Sequence, residues 1–169
     1  MKIKQWLWNN RLLSERQCIE WYPPFWLMRI KVLHLSPDWR NIDIMLPHSW
    51  LATNTSGSLF GGFQACLADP IAAMACVKLF PQYSIWTRAL QIEFIYPGLS
   101  DLELRFSMSA AQEQAIRQEL ARKGRSTPNF SYGFFQTDGS QCTKISAAIA
   151  IRPKGYKRSS RPLKSSLKC

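Results

Sequence analysis

Asn54-Thr-Ser-Gly-Ser-Leu-Phe-Gly61-Gly62-Phe-Gln-Ala-Cys-Leu-Ala-Asp69 joins a polar turn, a glycine pair and one carboxylate at the head of an apolar run. Between residues 63 and 80 only Gln64, Asp69 and Lys78 are polar, so the run predicts a long helix buried nearly all round. A carboxylate there has two readings. In the first, Gly61 and Gly62 leave main-chain N–H groups aimed at a developing negative charge, helped by the helix dipole, and Asp69 is the base or nucleophile of carbonyl chemistry. In the second, the glycines allow close packing and Asp69 satisfies local main-chain donors beside Pro70, which breaks the helical hydrogen-bond pattern.

Spacing adds a constraint to the first reading. Gly62 and Asp69 are seven residues apart, which at roughly 1.5 Å per residue is about 10 Å along one helix. One reacting carbonyl cannot touch both. If both serve one site, the helix start of one subunit faces Asp69 of another, and the protein is an obligate dimer with interfacial sites.

Working outward, Trp6, Leu7, Leu12, Leu13, Ile19 and Trp21 recur at helical spacing over residues 2–22 and Pro23-Pro24 ends the run, predicting a covering helix. Arg29-Ile-Lys-Val-Leu-His-Leu35 and Arg40-Asn-Ile-Asp-Ile-Met-Leu46 flank Ser-Pro-Asp-Trp and read as a hairpin. After the long helix, residues 85–96 read as a strand with Trp86, Arg88, Leu90, Ile92, Phe94 and Tyr96 on one face and Thr87 on the other. Leu102, Leu104, Phe106 and Met108 alternate with polar residues as a half-buried antiparallel strand. Residues 111–123 read as a helix stopped by Gly124, and 129–137 and 141–152 as strands around Asp138-Gly139. Antiparallel strands around one central helix make an α+β fold.

The segment resembles the hotdog-fold acyl-CoA thioesterases, particularly the phenylacetate-pathway type, over roughly residues 28–152. Those enzymes carry Asn, a Gly-Gly pair beginning seven residues later and a carboxylate seven residues beyond the second glycine, matched here by Asn54, Gly61, Gly62 and Asp69. Some add Ser or Thr eighteen residues after the carboxylate, where Thr87 stands, and Leu90-Gln-Ile-Glu-Phe-Ile-Tyr-Pro-Gly98 is similar to the strand and turn that follow. The chain departs from the pattern at Phe60, where many relatives have His, and at Pro70. The resemblance implies a hotdog fold, with 28–153 the thioesterase-like domain; helical spacing makes residues 1–27 a covering helix of the same domain, and composition makes 154–169 a basic tail. It implies hydrolysis of an acyl-CoA or related acyl thioester: Asp69 activates water or attacks directly, Gly61 and Gly62 polarise the carbonyl, Asn54 shapes the site and Thr87 holds water or the carboxylate. No metal or separate cofactor is called for, coenzyme A entering as part of the substrate. The expected partners are an acyl-CoA or acyl carrier thioester and further copies of the chain, as a dimer or dimer of dimers. The alternatives of the same fold are an acyl-CoA-binding protein without turnover, a dehydratase, and a purely structural dimerisation module.

Composition narrows the setting. With 169 residues and 46% hydrophobic content, the chain suits one domain with a real core. No run reaches the roughly 18 consecutive apolar residues of a membrane span, and the N-terminal residues lack a continuous signal-peptide core, which predicts a cytoplasmic protein. Cys18, Cys66, Cys76, Cys142 and Cys169 form no metal-ligand or disulfide pattern, and Cys66 and Cys76 read as small core residues. His34 and His48 read as structural. The formal charge is +11, and six basic residues of the last sixteen, Lys154, Lys157, Arg158, Arg161, Lys164 and Lys168, lack an acidic neighbour; removing them leaves 16 basic against 11 acidic residues. That tail reads as a disordered, solubilising extension or as an attractor of coenzyme A phosphates, an acidic carrier protein or lipid; no nucleic-acid motif accompanies it.

Overall fold

A computed structural model describes residues 14–156. Ser14 caps α1 (Glu15–Glu20) reciprocally: its hydroxyl accepts from the Gln17 N–H at 3.2 Å while the Gln17 side chain accepts from the Ser14 N–H at 2.8 Å. Pro23 and Pro24, expected only to end a helix, also open a second one, α2 (Pro23–Met28). A proline at the first helical position gives up only an N–H that has no helical acceptor. Residues 1–13, most of the expected covering helix, and 157–169, most of the basic tail, lie outside the described residues.

The strands follow the alternation of the sequence. β1 (Lys31–Leu35) and β2 (Asn41–Leu46) form the expected hairpin, and β2 buries Ile42, Ile44 and Leu46. α3 (Gly61–Leu79) is followed by β3 (Tyr83–Phe94) and β4 (Leu102–Ser107), which buries Leu102, Leu104 and Phe106. α4 (Ala110–Lys123) starts with a Ser109–Gln112 capping box and stops at Gly124, whose φ of 65° lets the chain turn out of the helix. β5 (Asn129–Phe135) and β6 (Gln141–Pro153) close the chain around Asp138-Gly139. All pairings are antiparallel, in the order β1-β2-β4-β5-β6-β3, so β1 and β3 are the edges.

α3 packs on β3, β6 and β4. Its Leu67, Ala68, Ile71, Ala72, Ala75 and Cys76 are buried against the inward residues of β6, namely Ile145, Ala147, Ile149 and Ile151, and against the rest of the core. Burying a Leu or Ile side chain contributes about 1.5–3 kcal/mol, so this contact is a main source of the fold's stability. By length and composition α3 could also cross a membrane, but its packing on the sheet makes it the core helix of this fold.

Two expectations are corrected here. α3 is not buried all round: Gly62, Cys66, Asp69 and Val77 are exposed along one face. A single sheet covers only one side of a helix, so an apolar helix packed on one sheet leaves an apolar face bare. The face assignment of β3 also fails halfway. Thr87 pairs with Ile149 and Ala89 with Ala148, so Arg88 is an extra residue in a bulge. The bulge shifts the phase, placing Thr87, Leu90 and Ile92 together on the helix side while Trp86 and Arg88 share the outer surface.

Candidate active site

The turn before α3 is built by Asn54. Its side-chain oxygen accepts from the N–H groups of Ser56 at 2.9 Å and Ser58 at 3.2 Å, and its amide donates to the Ser58 hydroxyl at 2.9 Å. The ring of His48 lies 2.9 Å from the Gly57 carbonyl, a structural role as expected. The Leu59 N–H donates to Gly98 and the Phe60 N–H to Ala52, so the helix entry is tied on both sides.

At the entry Phe60 stands in the capping position with no side chain able to cap. Among the described residues nothing accepts the N–H groups of Gly61 and Gly62, the open donors of a helix start. Two exposed aromatic rings lie close over the glycines. A Cβ on Gly61 would come within 2.9 Å of the Phe94 ring, and one on Gly62 within 2.3 Å of the Phe60 ring. A groove of about 350 Å³ lined by Asn54, Ser58, Gly61, Gln64, Phe94 and Tyr96 opens at this point.

Beneath the groove lies a buried polar chain that sequence reasoning missed. The Thr143 hydroxyl donates to the Gln64 side chain at 2.6 Å, and the Gln64 amide donates to the Leu59 carbonyl at 3.3 Å. Both residues are buried. Gln64 was legible only as a polar residue in an apolar helix, and its partner is 79 positions away.

Asp69 sits two turns further along, exposed, and no described residue donates to its carboxylate. Its surroundings are fixed through the main chain. Thr87 donates to the Asp69 carbonyl at 2.8 Å, and the buried Tyr132 hydroxyl donates to the Ala68 carbonyl at 2.7 Å. Burial, and then the negative charge of Asp69, push the Tyr132 phenol well above its ordinary range. Thr87 thus reaches the expected residue, but its hydroxyl is committed to the carbonyl and not to the carboxylate. Of the two cysteines expected in the core, Cys76 is buried, its thiol pushed up to about 12 by burial, whereas Cys66 is exposed between Gly62 and Asp69.

The five expected residues therefore form two clusters: Asn54, Gly61 and Gly62 at the helix start, and Asp69 with Thr87 further along. α3 runs unbroken through Pro70. The seven-residue spacing puts Gly62 and Asp69 on nearly the same face, about 20° apart in angle and about 10 Å apart along the axis. Within one chain they do not converge.

A six-stranded antiparallel sheet around one central helix is the hotdog fold, as the resemblance implied. Residues 9–149 match the family described as Domain of unknown function (DUF4442), and the chain belongs to that family. Its structure is similar to those of PA5026 of Pseudomonas aeruginosa, a protein of unknown function (15% identity, TM-score 0.73, covering 82% of this chain and 93% of that one), thioesterase HI1161 of Haemophilus influenzae (11%, 0.61, 83% and 90%) and a mutant of thioesterase PA1618 of Pseudomonas aeruginosa (15%, 0.64, 85% and 97%). At these identities the likeness establishes the fold. No curated protein matches the sequence.

Proposed function

We propose that the protein hydrolyses an acyl-CoA or related acyl thioester at sites shared between two copies of the chain. One observation carries this reading: the open N–H groups of Gly61 and Gly62 at the start of α3 and the carboxylate of Asp69, to which no described residue donates, belong to a single helix whose Gly62, Cys66 and Asp69 face is exposed, and they lie too far apart to meet within one chain. A second copy related by a two-fold axis sets the helix start of each opposite Asp69 of the other. The apolar remainder of that face and the unpaired edge of β3 favour such a partner. The structural relatives named as thioesterases support the choice of chemistry.

In the shared site the thioester carbonyl oxygen accepts from the Gly61 and Gly62 N–H groups, which take up the negative charge that develops on it. Asp69 takes a proton from water as the oxygen of that water bonds to the carbonyl carbon, or its carboxylate attacks the carbon directly. In the first route the C–S bond then breaks and the thiolate takes up the proton held by Asp69, releasing acid and thiol; in the second the thiolate leaves an acyl anhydride on Asp69, and water hydrolyses it to the free acid while its proton goes to the thiolate. Asn54 holds the turn that presents the donors, and Thr87 anchors the main chain at Asp69.

A second reading, an acyl-CoA-binding hotdog protein without turnover, is favoured by the Phe60 and Phe94 rings lying against the two glycines. Thiol release from short, medium, long and aromatic acyl-CoA esters separates the two. Asp69→Asn, at matched folding and oligomeric state, is expected to lower the rate about 10²–10⁴-fold. Saturable binding with no thiol release from the wild-type protein would instead establish the second reading.

A further inference from the structure

On the outer face of the sheet, away from α3, Trp86, Arg88, Arg125, Thr127, Arg152 and Tyr156 surround a groove of about 420 Å³ whose floor is the buried Ala150. Among the described residues the three guanidinium groups have no carboxylate partner. All eleven acidic residues of the chain fall within the described residues, and none of the ion pairs there involves Arg88, Arg125 or Arg152. Three positive charges gathered on one concavity favour the approach of an anion.

The groove is built. Arg152 donates through Nη1 to the carbonyls of Ser126 and Ile151 and through Nη2 to the Thr127 hydroxyl at 2.8 Å, and its guanidinium lies 5.9 Å from the centre of the Tyr156 ring. These bonds fix the fork and leave its Nε–H and one Nη2 N–H unused. Ser126 is buried and bridged to Ile151 through both main-chain groups, which holds the extended segment that carries Arg125 and Thr127 on either side. Arg88 is the extra residue of the β3 bulge, which places it on this surface beside Trp86.

We propose that this groove binds a phosphorylated small molecule of the nucleotide class, its phosphates held by Arg88, Arg125 and Arg152 and its planar ring laid against the exposed Trp86 and Tyr156. Guanidinium groups match phosphate oxygens, and aromatic side chains offer a planar base a stacking surface. A second copy of the chain meeting this face about a two-fold axis would set the same arginines against one another, which disfavours it as a contact between copies. Concavity favours a small ligand over a flat lipid surface. The site goes beyond the proposed hydrolysis and does not rest on it.

Calorimetric titration of the full chain at low salt with ADP, pyrophosphate, adenosine and vesicles of phosphatidylglycerol tests the assignment. The expected result is saturable ADP binding, one per chain, weakened by added salt and absent with adenosine. The double variant Arg88→Ala/Arg125→Ala, whose side chains have no acidic partner in the fold, is expected to weaken ADP binding at least about tenfold. Trp86→Ala is expected to weaken ADP more than pyrophosphate, and Asp69→Asn to leave ADP binding unchanged. No ADP binding, ADP binding indifferent to the arginine pair, or binding to vesicles alone would overturn the proposal.

Discussion

The Thr87 hydroxyl donates to the main-chain carbonyl of Asp69 at 2.8 Å, fastening edge strand β3 to the central helix one residue before Pro70. Proline has no N–H, so the helix lacks one of its own bonds at this point and the Cys66 carbonyl loses its helical donor. Thr87 and Tyr132 supply outside donors to the two carbonyls that precede Pro70, which fixes the main chain at the candidate carboxylate. Thr87→Val keeps the shape and removes the bond. It is expected to cost about 1 kcal/mol of stability in urea unfolding, with Thr87→Ser restoring most of it. A larger proportional loss of thioester hydrolysis than of stability would mark Thr87 as a positioning residue.

Gln64 and Thr143 are buried, and the 2.6 Å bond between them is the short link of a chain that continues to the Leu59 carbonyl on one side and the Cys142 sulfur on the other. Gln64→Leu leaves the Thr143 hydroxyl only the weak Cys142 sulfur contact and frees the Leu59 carbonyl, with an expected cost of about 1–3 kcal/mol. Thr143→Val in the same chain is expected to recover part of that loss. A double-mutant cycle measures the coupling, and additive losses would show the two residues to be independent.

If Gly62 of one copy faces Asp69 of the other, the two-fold axis passes near residues 65 and 66, midway between them. The exposed Cys66 thiols are then neighbours across the interface. In a Cys169→Ser background, a short bismaleimide is expected to link two chains through Cys66, doubling the mass on a denaturing gel, and Cys66→Ser is expected to abolish the link. A chain that stays single although Cys66 takes up the reagent would argue against this arrangement.

Acid should destabilise the fold. The Ser36 hydroxyl, then the main-chain N–H and guanidinium of Arg40, hold the Asp38 carboxyl at about 2. Burial pushes Glu15 up, but its bonds to Lys78 and the Trp39 indole outweigh that and bring it below its ordinary value. Glu119 and Asp138 are lowered too, and only Asp43, raised by burial and by Glu103, opposes them. Groups lowered on folding bind more protons when unfolded, so their stabilisation is complete above the ordinary carboxylate range and fades as pH falls through the folded values. Thermal unfolding midpoints are expected to drop from about pH 5 downward. Asp38→Asn should show a shallower drop, and an identical pH profile would discount the Asp38 contribution.

Local signals carried most of the fold. Alternation in β2 and β4, the Gly124 stop of α4 and the Asp138-Gly139 turn each act within a few residues and were legible. What escaped depends on long-range pairing. The bulge at Arg88 is set by where β6 places Ile149 and Ala148, and strict alternation along β3 cannot reveal it. The same holds for Gln64, whose partner comes from β6. The bare face of α3 was hidden because an apolar sequence looks alike whether it is covered by its own sheet or awaits another chain. At the site, the residue types and the separation of Gly62 from Asp69 were legible from the spacing, whereas the pairing of the Thr87 hydroxyl with the Asp69 carbonyl instead of its carboxylate depends on how β3 meets α3.

The unbroken run of α3 from Gly61 past Asp69 also has a genetic consequence under the shared-site reading. Each copy lends a donor half to one site and a carboxylate half to the other. A chain carrying Asp69→Asn and a chain carrying Gly62→Pro, which removes one N–H, would each be defective alone. Co-expressed, the two alleles would complement, because a mixed pair gathers both lesions into one site and leaves the other intact.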